Sequence, residues 1–126
     1  MSNVHSAYQT YQTTAVQTAT PQELSLMLYN GCLKFIKLAN KALEEGKIEQ
    51  KHTNLLKAQA IISQFRITLD MDVPISENLD ALYEFINQQL VEANTTNDQA
   101  KLAVAEELVT ELRDTWKTMM KTAASV

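Results

Sequence analysis

The chain has 126 residues, 15 acidic side chains against 11 Lys and Arg, and a net charge of −4. Scattered cations on an acidic chain argue against binding to nucleic acid or to an anionic membrane, and no apolar run approaches the ~20 residues that cross a bilayer. Only two Gly and two Pro interrupt it, which favours long helices in a single domain. We therefore expect an all-α protein, an antiparallel four-helix bundle with a flexible N-terminal arm.

Residues 1–19 form the predicted arm and differ in composition from the rest of the chain. Gln and Thr supply seven of the ten residues at 9–18, and no acidic residue, Lys or Arg precedes Glu23. One interpretation is a disordered terminus. The other is a cap whose apolar side chains dock on another surface. The apolar anchors of this segment are Val4, Tyr8, Tyr11 and Val16.

The predicted bundle covers residues 20–124 and begins at Thr20. The sequence from Thr20 to Glu23 has the form of a capping box with Pro at the first helical position. The first helix is therefore predicted over residues 21–45, and it ends at Gly46, a residue type that suits the left-handed position after a helix.

Turn signals separate three further predicted helices. The second runs over residues 47–69 and is broken before Pro74, which disfavours helical geometry in the residue preceding it. Ser76 is predicted to cap a third helix over residues 76–93, and Asn97 to cap a fourth that reaches residue 123. Because the connections are short, sequential helices should be antiparallel neighbours.

Each predicted helix carries an apolar seam with spacings of three and four residues. A closed four-helix core is the simplest arrangement of four such seams, and a dimer of hairpins or a bundle swapped at its ends would satisfy the same pattern. The predicted seams are Leu24, Leu28, Gly31, Phe35, Leu38 and Ala42; Leu55, Ala58, Ile62, Phe65 and Leu69; Leu79, Leu82, Ile86, Leu90 and Ala93; and Leu102, Ala105, Val109, Leu112, Trp116 and Met119.

The first helix is apolar over more than half of its circumference. At 100° per residue, four of its apolar residues fall roughly 120° to 200° from Leu24, whereas a bundle helix usually has an apolar stripe somewhat wider than 100°. A wide core, the arm, a second copy or a partner helix could cover this surface. The residues predicted to contact a binding partner are Leu26, Tyr29, Leu33, Ile36, Leu56 and Ile67.

No pattern in the chain indicates catalysis. It has no Gly-rich phosphate loop and no Cys-x-x-Cys or His-Glu-x-x-His motif, and Glu49 and His52 form a single Glu-x-x-His match where a di-iron bundle requires two. Cys32 lies beside the predicted seam and is interpreted as a core residue. We expect no enzyme activity, no catalytic residue, no metal and no cofactor. The lone cysteine and the absence of a signal-peptide pattern favour a cytoplasmic protein.

Six runs of the sequence match a known protein family. The matching runs are Ala7-Tyr8-Gln9-Thr10-Tyr11, Ala19 to Leu24, Leu26 to Gly31, Asn54 to Gln59, Leu90 to Asn94 and Arg113 to Trp116. They resemble the flagellar secretion chaperone family FliS, and especially its Bacillus-like members. The resemblance keeps its order along nearly the whole chain.

The resemblance implies a cytoplasmic chaperone that binds the C-terminal segment of flagellin. Such a chaperone prevents premature polymerisation and delivers its client to the flagellar type III export gate. The N-terminal segment of the family caps a hydrophobic surface and moves aside for flagellin, and its gate-docking residues match Tyr8 and Tyr11, with Val16 in the cap. The alternative is a self-associating structural or regulatory bundle without a flagellin client, and a homodimer in the absence of client fits both.

Overall fold

The computed structural model describes residues 19–124, so the predicted arm residues Tyr8, Tyr11 and Val16 lie outside the described part of the chain. The described residues form four helices around one core, which confirms the predicted all-α bundle. None of these helices is long and apolar enough to cross a membrane. α1 and α3 each pack against both α2 and α4. The helices are α1 (Pro21–Glu44), α2 (Ile48–Ile67), α3 (Ser76–Thr96) and α4 (Gln99–Ala124).

Both ends of α1 follow the predicted local chemistry. The Thr20 hydroxyl oxygen accepts a hydrogen bond of 3.1 Å from the Glu23 amide. At the other end Gly46 has a φ of +71°, its amide donates to the Leu43 carbonyl, and the Lys47 amide donates to the Ala42 carbonyl at 2.8 Å. This paired arrangement is a Schellman motif, and it satisfies carbonyls that the end of a helix would otherwise leave unpaired.

The predicted caps at Ser76 and Asn97 are wrong. Ser76 lies in the first turn of α3, and its hydroxyl donates to the Asp70 carbonyl at 2.6 Å, so it closes the preceding loop. Asn97 adopts a left-handed conformation that ends α3, which asparagine tolerates better than most residues. The cap of α4 is Asp98, whose carboxylate accepts from the Ala100 amide at 2.9 Å.

The predicted seams of α2 and α3 are buried or half-buried, and so is that of α4 except for Met119. The predicted rotation of α1 about its own axis, however, is wrong. Apart from the buried Ala42, its predicted seam lies on a flank, where Leu24, Leu28 and Phe35 are half-buried and Leu38 is 41% exposed. The buried face is rotated toward the sector that was predicted to be surplus surface. It consists of Tyr29, Cys32, Leu33, Ile36, Ala39 and Ala42.

Polar contacts hold the end of the bundle at which α2 begins. Lys51 is 3% exposed, and its ammonium donates to the Asn94 carbonyl at 2.8 Å and to the Asn97 side chain. The buried cation thereby caps the carboxyl end of α3, where the helix dipole favours positive charge. Next to it, the Asn94 amide lies 2.8 Å from Nδ1 of His52. These contacts tie α2 to the α3–α4 turn.

Candidate functional site

An apolar cleft of about 510 Å³ opens at the opposite end of the bundle, where α1 and α3 begin and α2 and α4 end. All four helices contribute to it because their seams continue to the bundle end without closing on one another. A cleft of this size lies within the range of protein binding sites. Its apolar walls are Leu69, Ile75, Leu79, Leu82, Leu108, Leu112, Trp116 and Met119.

Three aromatic rings also line the cleft. Phe65 of α2 stacks between Tyr29 of α1 and Tyr83 of α3, with ring centroids 4.4 Å and 5.6 Å apart. The two tyrosine hydroxyls lie 2.7 Å apart and hydrogen-bond to each other. Burial raises the pKa of both tyrosines, so neither ionises at neutral pH. The aromatic lining of the cleft is therefore uncharged, and its buried hydroxyls are satisfied internally.

The mouth of the cleft lies beside the start of α1. The indole N–H of Trp116 donates to the Gln22 carbonyl at 2.9 Å, which ties the α4 wall to the first turn of α1. Polar side chains line the same cleft at Ser25, Thr68 and Glu111. Because Trp116 reaches the first turn of α1, the described part of the chain begins close to this opening.

Exposed apolar side chains extend the surface outward from the cleft. Ile75 and Met119 both line the cleft and remain more than half exposed. The loop before α3 also exposes Met71. The Asp72 amide donates to the Asp70 carboxylate at 3.0 Å, which together with the Ser76 contact gives this loop a defined shape. Exposed apolar surface of this kind commonly marks a site of interaction with another molecule.

The six predicted binding residues do not form one surface. Tyr29, Leu33 and Ile36 were predicted to be surplus surface, and this is wrong, because all three belong to the buried core. Tyr29 nevertheless contributes its ring to the cleft. Leu26 is half-buried, whereas Leu56 is exposed and Ile67 is 78% exposed. The part that any of the six plays in binding stays a prediction.

α1 does have apolar side chains outside the core, but they lie on a different side of the helix from the side that was predicted. They are Leu24, Leu28, Phe35 and Leu38, which belong to the predicted seam and are half-buried or exposed. α2 covers part of this flank. A Cβ at Gly31 would lie 3.6 Å from the Ile61 side chain, and the Lys57 ammonium lies 5.4 Å from the centre of the Phe35 ring.

Tyr83 is a cleft residue that the sequence reasoning missed, and so is Ile75. Tyr83 is buried and lies three residues before the predicted seam residue Ile86. This spacing places it on the core side of α3. A wider apolar face on α3 would have included it.

The described residues contain no group of three or more His, Cys, Asp or Glu side chains that could hold a metal ion. Cys32 is buried on α1, with its sulfur 3.8 Å from the Ala58 carbonyl oxygen. Burial raises the pKa of its thiol to about 12, so the thiolate required of a nucleophile is scarce at neutral pH. Cys32 is therefore a core residue, as predicted.

Fold and cleft together define a helical-bundle protein with an open apolar docking surface. The chain matches the family model described as flagellar protein FliS over residues 4–123. The flagellar secretion chaperone FliS of Bacillus subtilis (strain 168) is 47% identical over 114 residues, which cover 90% of this chain and 86% of that protein. The chain therefore belongs to the FliS family, as its sequence motifs predicted.

Other relatives carry the same description. The flagellar secretion chaperone FliS of Escherichia coli (strain K12) is 32% identical over 106 residues, which cover 82% of this chain and 78% of that protein. A solved structure described as a flagellar chaperone from bacteria has a TM-score of 0.75 and 18% identity, and the match covers 94% of this chain and 98% of that one. At this identity the solved structure supports the fold alone. Family membership makes the chain a chaperone of flagellum biogenesis.

Proposed function

We propose that the chain is a cytoplasmic export chaperone that holds the C-terminal segment of flagellin, prevents its premature polymerisation and delivers it to the flagellar type III export gate. The observation that carries this proposal is the open apolar cleft to which all four helices contribute. An amphipathic helix with its apolar face in such a groove is a recurring mode of peptide recognition. The client in this proposal is the flagellin segment.

The energetics favour a client contact that extends beyond the cleft. A segment that folds as it binds loses a few kcal/mol of the gross interaction energy to ordering. Each apolar side chain that becomes fully buried contributes about 1.5–3 kcal/mol. Several anchors are therefore needed, and exposed residues near the cleft such as Met71 and Ile75 supply further apolar surface.

The arm fits the same proposal as a weak competitor of the client. Residues 1–18 join the bundle beside the cleft, and a chain of this length can span up to roughly 60 Å when extended. In this proposal Val16 and neighbouring residues cover the cleft in the free protein and are displaced by flagellin. Tyr8 and Tyr11 then dock on the export gate.

The decisive experiment is calorimetry with a C-terminal flagellin peptide and variants of the cleft rim. Ile75→Asp combined with Met119→Asp should weaken binding about tenfold or more, because both side chains are available for further burial. Ile48→Asp is the matched control, since Ile48 is similarly exposed but lies at the start of α2, away from the cleft.

Two results would overturn the proposed function. One is equal binding by the rim variant and the Ile48 control, which would remove the cleft from the contact. The other is the absence of flagellin binding together with a stable dimer in light scattering. That outcome would favour the self-associating bundle.

A further inference from the structure

A second groove of about 400 Å³ lies between α1 and α4, and it shares no lining residue with the cleft. Four cationic side chains and Leu38 line it, and no acidic residue is among its described lining residues. We call it the basic groove, and its cations are Lys34, Lys37, Lys41 and Arg113.

The geometry of the helices gathers these cations on one side of the bundle. The α1 lysines are spaced by three and four residues, so they share one face of the helix. Arg113 faces them from α4, where its guanidinium lies 3.5 Å from the Asn30 side-chain oxygen and forms an ion pair with the Asp114 carboxylate at 3.0 Å. Lys117 and Lys121 follow at intervals of four residues and extend this side of α4.

Four of the 11 cationic residues therefore line one groove between α1 and α4, in a chain whose net charge is −4. The sequence interpretation of scattered cations is thereby corrected. Within residues 19–124, neither Lys37 nor Lys41 forms an ion pair. Their charges face solvent and are available to a partner of opposite charge.

The basic groove combines charge with an apolar contact. Leu38 is more than a third exposed and lies one residue from Lys37. From Lys34 to Lys41 the cations span only about 10 Å of helix. Among the described residues that line the groove, none is an aromatic side chain on which a nucleobase could stack. A short run of carboxylates beside one apolar side chain matches this surface better than a nucleic acid does.

We propose that the basic groove is a second docking surface, and that it binds an acidic amphipathic helix of a partner protein while the cleft is occupied. The partner presents carboxylates at positions i, i+3 or i+4 and i+7 and one apolar side chain to Leu38. Simultaneous binding is possible because the two surfaces have separate lining residues. This proposal does not depend on which client fills the cleft.

The test uses two synthetic peptides of about 16 residues with identical composition, one with its glutamates on one helical face and one with them dispersed. By fluorescence titration, the first should bind about fivefold tighter and weaken steeply as salt rises from low to physiological ionic strength. Lys37→Glu combined with Lys41→Glu should abolish this binding. Lys47→Glu combined with Lys57→Glu has the same change in net charge and should leave affinity within about twofold.

Folding is controlled by circular dichroism, and both lysines of the test variant are exposed, so helix content should be unchanged. The proposal is overturned if the two peptides bind equally, or if the control variant loses as much affinity as the test variant. It is also overturned if an RNA oligonucleotide binds the groove more tightly than the peptide. Displacement of the peptide by a saturating C-terminal flagellin peptide would assign the groove to the client site instead.

Discussion

The two tyrosine hydroxyls at the cleft hydrogen-bond to each other inside the protein. Tyr29 and Tyr83 come from helices that do not follow one another in sequence, and their contact fixes α1 relative to α3. Both hydroxyls are buried, and in their hydrogen bond one donates and the other accepts. Among the described residues that line the cleft, no buried side-chain N or O atom lacks a hydrogen bond, which would otherwise disfavour an apolar client.

The tyrosine pair predicts a strongly non-additive pair of substitutions. Tyr83→Phe leaves the Tyr29 hydroxyl buried without its partner and should lower the free energy of unfolding by about 1–3 kcal/mol. Tyr29→Phe combined with Tyr83→Phe removes both polar groups and should recover most of that loss. Urea denaturation of the three variants and the wild type measures the coupling, and additive losses would contradict the hydrogen-bonded pair.

Leu33 and Leu38 give a second prediction at the scale of single residues. Leu33 is 3% exposed, so Leu33→Asp places a carboxylate in the core and should abolish folding or lower the unfolding free energy by more than about 3 kcal/mol. Leu38→Asp is the matched control and should change it by less than about 1 kcal/mol. Thermal melts by circular dichroism separate the two, and an unchanged melt of Leu33→Asp would place that residue outside the core.

At the scale of helices, local chemistry decides where an element begins and ends. Thr20 and Gly46 bound α1 because one supplies a capping oxygen and the other a left-handed conformation, and both functions can be predicted from sequence. At the α3–α4 turn the same reasoning chose the wrong residue. Asn97 and Asp98 are adjacent and both suit a cap, and only the backbone conformation distinguishes them.

The rotation of α1 could not be predicted for a different reason. The helix is apolar both on the side of Phe35 and on the side of Ile36. Its periodicity therefore allows either side to face the core. The small residues Cys32, Ala39 and Ala42 are on the buried face. The choice between the two sides depends on how α2 and α4 pack against α1, which a single helix does not encode.

The two glycines predict opposite effects of substitution by alanine. Gly46 has a φ of +71°, so Gly46→Ala should lower the unfolding free energy by about 1 kcal/mol through backbone strain alone. Gly31 is helical, and an added Cβ would make an ordinary contact with Ile61 at 3.6 Å. Gly31→Ala should therefore leave stability unchanged or raise it by up to about 1 kcal/mol. Chemical denaturation tests both, and destabilisation by Gly31→Ala would contradict the open packing of this position.

At the scale of the whole molecule, the bundle has two unlike ends. One is held by Lys51 and its hydrogen bonds, and the other opens as the apolar cleft. Seven of the fifteen residues that line the cleft, among them Leu69 and Leu112, were predicted as seam residues. Their identity could thus be read from the sequence. The opening could not, because it depends on whether four seams meet or diverge at the bundle end.

The proposed role of the arm predicts the behaviour of a truncated protein. Deletion of residues 2–18 should strengthen binding of a C-terminal flagellin peptide, or promote self-association, because the cleft loses its internal competitor. Calorimetry measures the first effect and light scattering the second. The full-length chain is the control, and identical behaviour of both proteins in both assays would remove the arm from the cleft.

The buried lysine also has a mechanical consequence. Because Lys51 joins α2 to the turn between α3 and α4, hydrogen bonds that lie away from the cleft hold that end of the bundle. We expect these hydrogen bonds to stay in place when the cleft is occupied.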